Sequence, residues 1–121
     1  MTGVQTCALP IYLEPRRDLT DVRDTVRAYT RILDDGHAER PYNVCSGRAV
    51  SVQYILDTLL AKARVPIRVV IDRARFRPND TPVVLGSAAR VRQELGWEPL
   101  ITLEQTLNDL LEYWRNRATH S

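Results

Sequence analysis

Cysteine and histidine are scarce in this chain of 121 residues, which limits the metal and redox chemistry that it can carry. Cys7 and Cys45 are the only cysteines, and they form neither a CxxC pair nor a cluster with histidine. Neither a zinc site nor a disulfide framework is predicted. His37 lies next to a glycine and His120 next to the last residue, and we expect neither of them to be catalytic. The lone cysteines favour a reducing, cytoplasmic setting.

Long apolar runs are also missing, and Lys62 is the single lysine. No stretch reaches the roughly 18 apolar residues that span a bilayer, and the first residues lack the pattern of a signal peptide, so no membrane segment is expected. The net charge is only +2, and the arginines are dispersed among acids, which gives no indication of a nucleic-acid interface. Arg73, Arg75 and Arg77 are either phosphate contacts or a solvated basic face.

Glycine-rich turns are lacking as well, although a nicotinamide enzyme needs one after its first strand, where backbone N–H groups approach the pyrophosphate. The five glycines stand far apart, at positions 3, 36, 47, 86 and 96. Four residues before Lys62 stands Thr58, so a Tyr–Lys acid–base pair is missing too. No serine triad, carboxylate pair or metal-ligand spacing replaces it. We therefore expect no bound nicotinamide cofactor and no complete catalytic site in this chain.

The first eleven residues, MTGVQTCALPI, look like a translated sequencing adapter joined in frame to a coding sequence. We expect residues 1–11 to be non-native and to carry no information about the fold, as for an expression scar. The native protein would then begin upstream of Tyr12. Residues 12–121 form the part to interpret.

From Tyr12 onward, short apolar strands alternate with amphipathic helices, which predicts an α/β class. We predict helices over residues 21–35, ended by Gly36, and from an N-cap at Ser51 to about residue 63. A short helix follows from Ser87 to residue 95, closed by Gly96 in the left-handed conformation. The last helix begins at a capping box, Thr102 with Gln105.

Three of these helices carry apolar stripes at helical spacing. The helix that starts at Ser51 has a stripe that we expect to be buried, formed by Val52, Ile55, Leu56, Leu59 and Leu60. The first has Val22, Val26, Tyr29 and Leu33, and the last has Leu103, Leu107, Leu110, Leu111 and Trp114. We interpret Tyr113 and Trp114 as core or docking residues. Strands are predicted at residues 41–45 and 67–71, and residues 72–82 form a charged loop of the kind in which sites often lie.

Two short segments place arginine beside a carboxylate: residues 16–18, read as Arg-Arg-Asp, and residues 77–80, read as Arg-Pro-Asn-Asp. A guanidinium can donate to two phosphate oxygens at once, and a carboxylate can accept from ribose hydroxyls. Arg77 with Asp80 would therefore suit a nucleoside diphosphate. The alternative is a surface salt bridge, which stabilises little.

The same segments resemble the GDP-mannose dehydratase and GDP-4-keto-6-deoxymannose reductase branch of the extended short-chain dehydrogenase/reductases, also called the NAD-dependent epimerase/dehydratase family. Residues 13–29 resemble its "RDFTDVRD-VRAY" segment, and residues 42–47 its "NVGSG" turn. Residues 76–80 resemble "RPxD/E" and residues 95–99 "LGWxP". The resemblance covers about residues 12–117. One departure is Ser87, where the family often has aspartate; Ser87 can still cap the following helix.

The resemblance implies the C-terminal substrate-binding lobe of an extended Rossmann-type short-chain dehydrogenase fold, with the Rossmann core mostly missing. An upstream half would hold NADP and the Tyr–Lys pair. Arg17 and Arg77 would contact the diphosphate of a GDP-sugar, and Asp80 the ribose or guanine. The intact enzyme, a homodimer or tetramer, would be a reductase or else a 4,6-dehydratase or another nucleotide-sugar epimerase. From another class, a stand-alone nucleotide-binding or interaction module stays open.

Overall fold

The computed structural model describes residues 5–9, 13–37, 39–71 and 81–120, and this part of the chain contains both strands and helices, interspersed along the sequence. Helices and strands have the following bounds: β1 Gln5–Leu9, β2 Arg16–Asp18, α1 Val22–Asp35, β3 Ala49–Ser51, α2 Val52–Ala61, β4 Ile67–Ile71, β5 Val83–Val84, α3 Ala89–Leu95 and α4 Leu103–His120. The predicted α/β class is confirmed.

Two small sheets organise the described residues. In one, β1 pairs with β4 in parallel. In the other, β2 is the central strand, antiparallel to β3 and parallel to β5. Arg17, the middle residue of β2, is paired with Val50 on one side and with Val84 on the other. The second sheet therefore holds one of the predicted site residues at its centre.

Strand β1 lies within the segment that we predict to be non-native. Its residues are paired in register with β4, from Gln5 opposite Ile67 to Leu9 opposite Ile71. The non-native origin of residues 1–11 stays a prediction, and the sequence of the native locus tests it.

Local capping chemistry sets the helix ends, as predicted. The side chain of Asp21 accepts from the N–H of Arg23 at the start of α1, and Gly36 ends that helix. Ser51 Oγ accepts from the N–H of Tyr54 at 3.0 Å to begin α2. Before α4, Thr102 Oγ1 accepts from the N–H of Gln105 at 3.1 Å. These contacts satisfy amide groups that have no partner within a helix.

Two predicted boundaries shift. Helix α2 ends at Ala61, with Lys62 as its C-cap, two residues before the predicted end. Helix α3 begins at Ala89 rather than at Ser87, and its N-cap is Ala88, which has no side chain to accept a hydrogen bond. Ser87 Oγ accepts only a long bond of 3.4 Å from the N–H of Ala89. Gly96 closes α3 with φ 64°, as predicted.

The core lies between α1, α3 and the turn that follows α3. Ala28, Val91 and Trp97 are fully buried there, with Ala88 beside them. The indole N–H of Trp97 donates to the backbone oxygen of Asp24 at 3.0 Å, so the ring fills the core without burying an unpaired donor. A large-to-small change at such a ring typically costs about 3–5 kcal/mol.

Two expectations are wrong, the buried stripe of α2 and the strand at residues 41–45. The stripe residues of α2 are only partly buried, and no residue of that helix is fully buried. The apolar stripe of α1 lies on one face of the helix, as predicted. That face is exposed, because the face that packs on the core is the one with Asp24 and Ala28. Of the two roles predicted for Tyr113 and Trp114, a place in the core is excluded, because the residues are 51% and 58% exposed, and docking stays a prediction. Residues 41–45 are extended but form no strand, because no described strand lies beside them to complete a ladder.

The exposed aromatic residues of α4 make contacts of their own. The rings of Tyr113 and Trp114 meet edge to face at 5.4 Å between centroids, and the guanidinium of Arg117 lies over both rings. Along the described chain, no helix combines the length and the apolar content needed to cross a bilayer.

Candidate functional site

The central strand β2 places the side chain of Arg17 next to the start of β5. Its Nη1 donates to the backbone oxygen of Thr81 at 2.7 Å and to that of Arg16 at 2.8 Å. The N–H of Arg16 donates in turn to the backbone oxygen of Pro82 at 2.8 Å. The guanidinium of Arg17 therefore lies directly beside the residue that follows Asp80 in the chain.

Arg77 and Asp80, the other two predicted site residues, lie outside the described residues, within 72–80. Their neighbour Thr81 is described, and its backbone oxygen accepts a hydrogen bond from Arg17. The roles of Arg17, Arg77 and Asp80 in substrate binding stay predictions.

The carboxylate of Asp18 connects both edges of the sheet at the end of β2. It accepts from the N–H of Ser46 at 2.9 Å, from the hydroxyl of Ser46, from the N–H of Gly47 at 2.9 Å and from the N–H of Gly86 at 3.3 Å. Ser46 and Gly47 precede β3, whereas Gly86 follows β5. One side chain therefore fixes the two turns that flank the central strand.

This arrangement changes the acidity of Asp18. Burial alone would raise its pKa, but the hydrogen bonds from Ser46, Gly47 and Gly86 outweigh burial and lower the pKa. Asp18 is therefore ionised at neutral pH, and its negative charge is directed at backbone N–H groups. Sequence reasoning placed this carboxylate beside the predicted Arg17 but did not identify its partners, which stand 28 to 68 residues away along the chain.

Both turns that Asp18 holds require glycine. Gly47 has φ 78°, a conformation that other residues seldom adopt. At Gly86 the constraint is steric, because a Cβ atom there would stand 2.7 Å from the sulfur of Cys45. In the family's "NVGSG" turn the residue at the position of Cys45 is glycine, so this close approach of a side chain to Gly86 is a property of this chain.

A cavity of about 430 Å³ opens beside these turns. Its lining comprises Ser46, Gly47, Gly86, Ser87, Ala88, Ala89, Arg92 and Gln93. Hydroxyl, amide and guanidinium groups dominate this lining, and the volume lies in the range of sites for small molecules. These groups suit a polar ligand with anionic or hydroxyl groups. Ser46 also lines a smaller cavity of about 200 Å³, which reaches Arg48 and Thr102.

A second buried carboxylate, Asp24, attaches α1 to the turn after Trp97. It accepts from the N–H of Leu100 at 3.1 Å, from the N–H of Ile101 at 3.0 Å and from Arg27 at 3.1 Å. Burial alone would raise the pKa of Asp24, but these hydrogen bonds lower it. Together with the bond from the indole of Trp97 to the backbone oxygen of Asp24, they attach the start of α1 to residues 97–101.

Asp21 makes a similar connection between α1 and α4. Its carboxylate accepts from Arg23, which also bonds Asp109, and from the hydroxyl of Thr106 at 2.7 Å. The hydrogen bonds from Arg23 outweigh burial and hold the pKa of Asp21 far below its usual range. The two carboxylates Asp21 and Asp24 therefore stabilise the arrangement of helices around the cavity rather than offer acid–base groups.

The described residues lack one feature of a site for a nicotinamide dinucleotide, a cluster of glycines around the pyrophosphate. Gly47 and Gly96 are the described glycines with positive φ, and they lie in separate turns, Gly47 before β3 and Gly96 at the C-terminus of α3. A pyrophosphate cradle instead needs clustered glycines between a strand and the N-terminus of a helix. No step of cofactor chemistry is therefore assigned to these residues.

The chain is similar to known nucleotide-sugar enzymes. A family model described as GDP-mannose 4,6 dehydratase matches residues 3–110. The GDP-6-deoxy-D-mannose reductase of Pseudomonas aeruginosa is 38% identical over 106 residues, which are 88% of this chain and 35% of the reductase. The GDP-mannose 4,6-dehydratase of Vibrio cholerae is 40% identical over 70 residues, 54% of this chain and 19% of that enzyme.

A solved structure agrees with these matches. RMD from Pseudomonas aeruginosa, complexed with NADPH, superposes with a TM-score of 0.81 and 33% identity, covering 94% of this chain and 36% of that one. This chain therefore spans about a third of the length of that relative. Because the family model matches most of the chain, this protein belongs to the GDP-mannose 4,6 dehydratase family of extended short-chain dehydrogenase/reductases.

Proposed function

We propose that this chain is the sugar-nucleotide-binding part of an NADP-dependent GDP-sugar enzyme, a GDP-4-keto-6-deoxymannose reductase. The observation that carries the proposal is the position of Arg17, a cation at the centre of a three-stranded sheet whose guanidinium contacts Thr81. Arg77 and Asp80 precede Thr81 by four residues and by one residue in the chain, and the proposal is that one ligand contacts Arg17, Arg77 and Asp80.

The charges suit a nucleoside diphosphate. Arg17 and Arg77 would neutralise the diphosphate oxygens, and Asp80 would accept from ribose hydroxyls or from guanine. A hydrogen bond to a charged group contributes about 1.5–3 kcal/mol, which corresponds to a change in affinity of about 10- to 100-fold. Asp18 supports this assignment, because its bonds to both flanking turns hold β2 in place beside the polar cavity.

The similarity to the Pseudomonas aeruginosa reductase favours reduction of a GDP-sugar, since that match extends over 88% of the chain. NADP is proposed for the longer enzyme because a Pseudomonas aeruginosa neighbour was solved with NADPH. Hydride transfer is assigned to the part of the enzyme that holds the cofactor. A cytoplasmic location is proposed on the ground that Cys45 is a free thiol, which fits a reducing compartment.

Calorimetric titration of the chain with GDP tests the proposal. We expect weak binding of GDP, a loss of about 10- to 100-fold in affinity in Arg17→Ala, and no oxidation of NADPH. Arg64→Ala is the matched control, because Arg64 is an exposed arginine at 3.9 Å from Glu112. Absence of GDP binding at millimolar concentration, or equal affinities of the two variants, would contradict the proposal. NADPH oxidation by the chain would contradict the assignment of chemistry to the rest of the enzyme.

The 4,6-dehydratase is the second candidate, because the Vibrio cholerae enzyme of that activity is 40% identical over its matched residues. Titration with GDP does not separate the two, since both would bind a GDP-sugar. Turnover of the longer enzyme does: a reductase consumes NADPH with a 4-keto sugar, whereas a dehydratase converts GDP-mannose with no net consumption of NADPH.

A further inference from the structure

Three side chains from three different elements meet outside the cavity beside Asp18. They are Arg48, which directly precedes β3, Tyr54 in α2 and Glu104 in the first turn of α4. The guanidinium of Arg48 lies over the ring of Tyr54, 5.6 Å from the ring centroid, and its Nη1 is 3.5 Å from Oε1 of Glu104. The hydroxyl of Tyr54 donates to the same oxygen. Each side chain of this Arg48 cluster therefore contacts the other two.

The Arg48 cluster is too exposed to contribute much to the stability of the whole fold. The side chains of Arg48 and Glu104 are 58% and 43% exposed, and ion pairs of that exposure contribute little. The hydrogen bond from Tyr54, with a contribution from the charge of Arg48, lowers the pKa of Glu104, so the pair is ionised at neutral pH. The simplest explanation would be a surface ion pair, but the position of Arg48 in the chain indicates a more specific role.

Arg48 ends the turn that supplies most of the hydrogen bonds to Asp18. The N–H and the hydroxyl of Ser46 donate to Asp18, as does the N–H of Gly47, whereas Gly86 donates from the turn on the other side. The N–H of Arg48 donates to Oγ of Ser46 at 3.1 Å. The backbone of Arg48 therefore continues a chain of hydrogen bonds that ends on the Asp18 carboxylate, and bonds in such a chain strengthen one another.

Packing does not hold this turn at Gly47. The residue has φ 78°, and among the described residues no atom beyond its immediate neighbours lies within 4 Å of the place that a Cβ would take. Glycine also loses more conformational freedom than any other residue when its backbone is fixed. The turn therefore depends on its two attachments, Asp18 on one side and Arg48 on the other.

A displacement of the turn would reach Arg17 through the sheet. Strand β3 begins directly after Arg48, and its first residue, Ala49, pairs with Asp18. The next residue, Val50, pairs with Arg17. Release of the turn at Arg48 would therefore weaken the pairing first opposite Asp18 and then opposite Arg17.

We propose that Arg48 is a positioning residue: the Arg48 cluster attaches the turn before β3 to α2 and α4, and so keeps Asp18 and Arg17 in the arrangement that binds the ligand. The proposal rests on the proposed function in one respect, that Arg17 contacts the sugar nucleotide. Arg48 itself acts through the turn and not through a contact with the ligand.

Amide hydrogen exchange measured by NMR tests the attachment without any ligand. The N–H of Gly47 donates to Asp18 at 2.9 Å, so its exchange rate reports how often the turn opens. Loss of one exposed ion pair and one cation–π contact in Arg48→Ala should raise this rate about 3- to 30-fold. The buried indole N–H of Trp97 should exchange as in the wild type. Arg64→Ala, at an exposed arginine 3.9 Å from Glu112, is the matched control and should change neither rate.

Two results would overturn the attachment. One is an exchange rate at Gly47 that is the same in Arg48→Ala and in the wild type. The other is an equal rise at the Trp97 indole, because Arg48 would then stabilise the fold as a whole. Should Arg48→Ala fail to fold, Glu104→Gln decides, since it removes the charge beside the guanidinium and keeps an acceptor for Tyr54. An unchanged rate at Gly47 in Glu104→Gln would likewise overturn the proposal.

Titration with GDP tests the consequence for binding. A ligand that binds the closed turn loses affinity in proportion to the closed fraction, so we expect a loss of about 2- to 10-fold in Arg48→Ala and none in Arg64→Ala. Saturating GDP should restore slow exchange at Gly47 in Arg48→Ala, because the ligand selects the closed turn. A loosened turn with unchanged affinity would overturn the role of Arg48 in binding. If the wild type binds no GDP, the proposed function fails, while the exchange rates still decide whether Arg48 holds the turn.

Discussion

Replacement of Asp24 by alanine should be among the most destabilising single changes in the described chain. The carboxylate is 2% exposed and accepts from the N–H groups of Leu100 and Ile101. Alanine would leave both N–H groups without an acceptor, and each such loss costs about 1–3 kcal/mol. Leu100 is 67% exposed, so water can partly replace the carboxylate there, and we expect a total of about 2–4 kcal/mol.

Urea unfolding monitored by tryptophan fluorescence measures this loss. Trp97 is fully buried and reports on the same turn, while the exposed Trp114 is removed in a Trp114→Phe background. Asp24→Asn keeps the size and one acceptor oxygen, so it should fall between the wild type and Asp24→Ala. Asp57→Ala is the control, because the exposed Asp57 accepts only from the side chain of Gln53.

The result that would refute this reasoning is specific. If Asp24→Ala and Asp57→Ala both lie within about 0.5 kcal/mol of the wild type, the hydrogen bonds of Asp24 do not hold the turn.

Three further predictions concern single positions. Gly86→Ala should destabilise the protein, because its Cβ would stand 2.7 Å from the Cys45 sulfur, and adding Cys45→Gly should restore part of the lost stability. If the shifts in urea midpoint of the two single variants add up to that of the double variant, the clash is disproved. Gly96→Ala should cost about 1–2 kcal/mol in thermal unfolding because φ is 64°, and an unchanged Tm would contradict this. The pKa values of Asp21 and Asp24 are lowered by folding, so both stabilise the protein above their unfolded pKa of about 3.9. That stability is lost as the pH falls through the folded pKa. Asp24→Asn should therefore make the urea midpoint less dependent on pH below about 4. The same pH dependence in the variant and the wild type would contradict this prediction.

Short-range chemistry explains which elements the sequence predicts well. The caps at Asp21, Ser51 and Thr102 act on amide groups two or three residues away, so their spacing alone indicates a helix start. Gly96 ends α3 through its own backbone conformation. Such signals do not depend on the rest of the fold.

Long-range pairing explains what the sequence could not predict. Residues 42–45 have the composition of a strand, but a strand forms only when a second one supplies hydrogen bonds. The stripe of α1 has the correct period, yet periodicity does not say which apolar face meets the core of the described chain. Of the candidate site, Arg17 could be singled out from the sequence, whereas the contacts of Asp18 depend on turns far away in the sequence.

The bond between the Trp97 indole and the backbone of Asp24 has a consequence for synthesis of the chain. The two residues are 73 positions apart, and Trp97 stands four-fifths of the way along the sequence. A ribosome therefore releases α1 long before the ring that completes its core exists. During that interval both faces of α1 are uncovered, the face with Asp24 that later packs on the core as well as the apolar stripe. The nascent helix is therefore available to chaperones until the last quarter of the chain emerges.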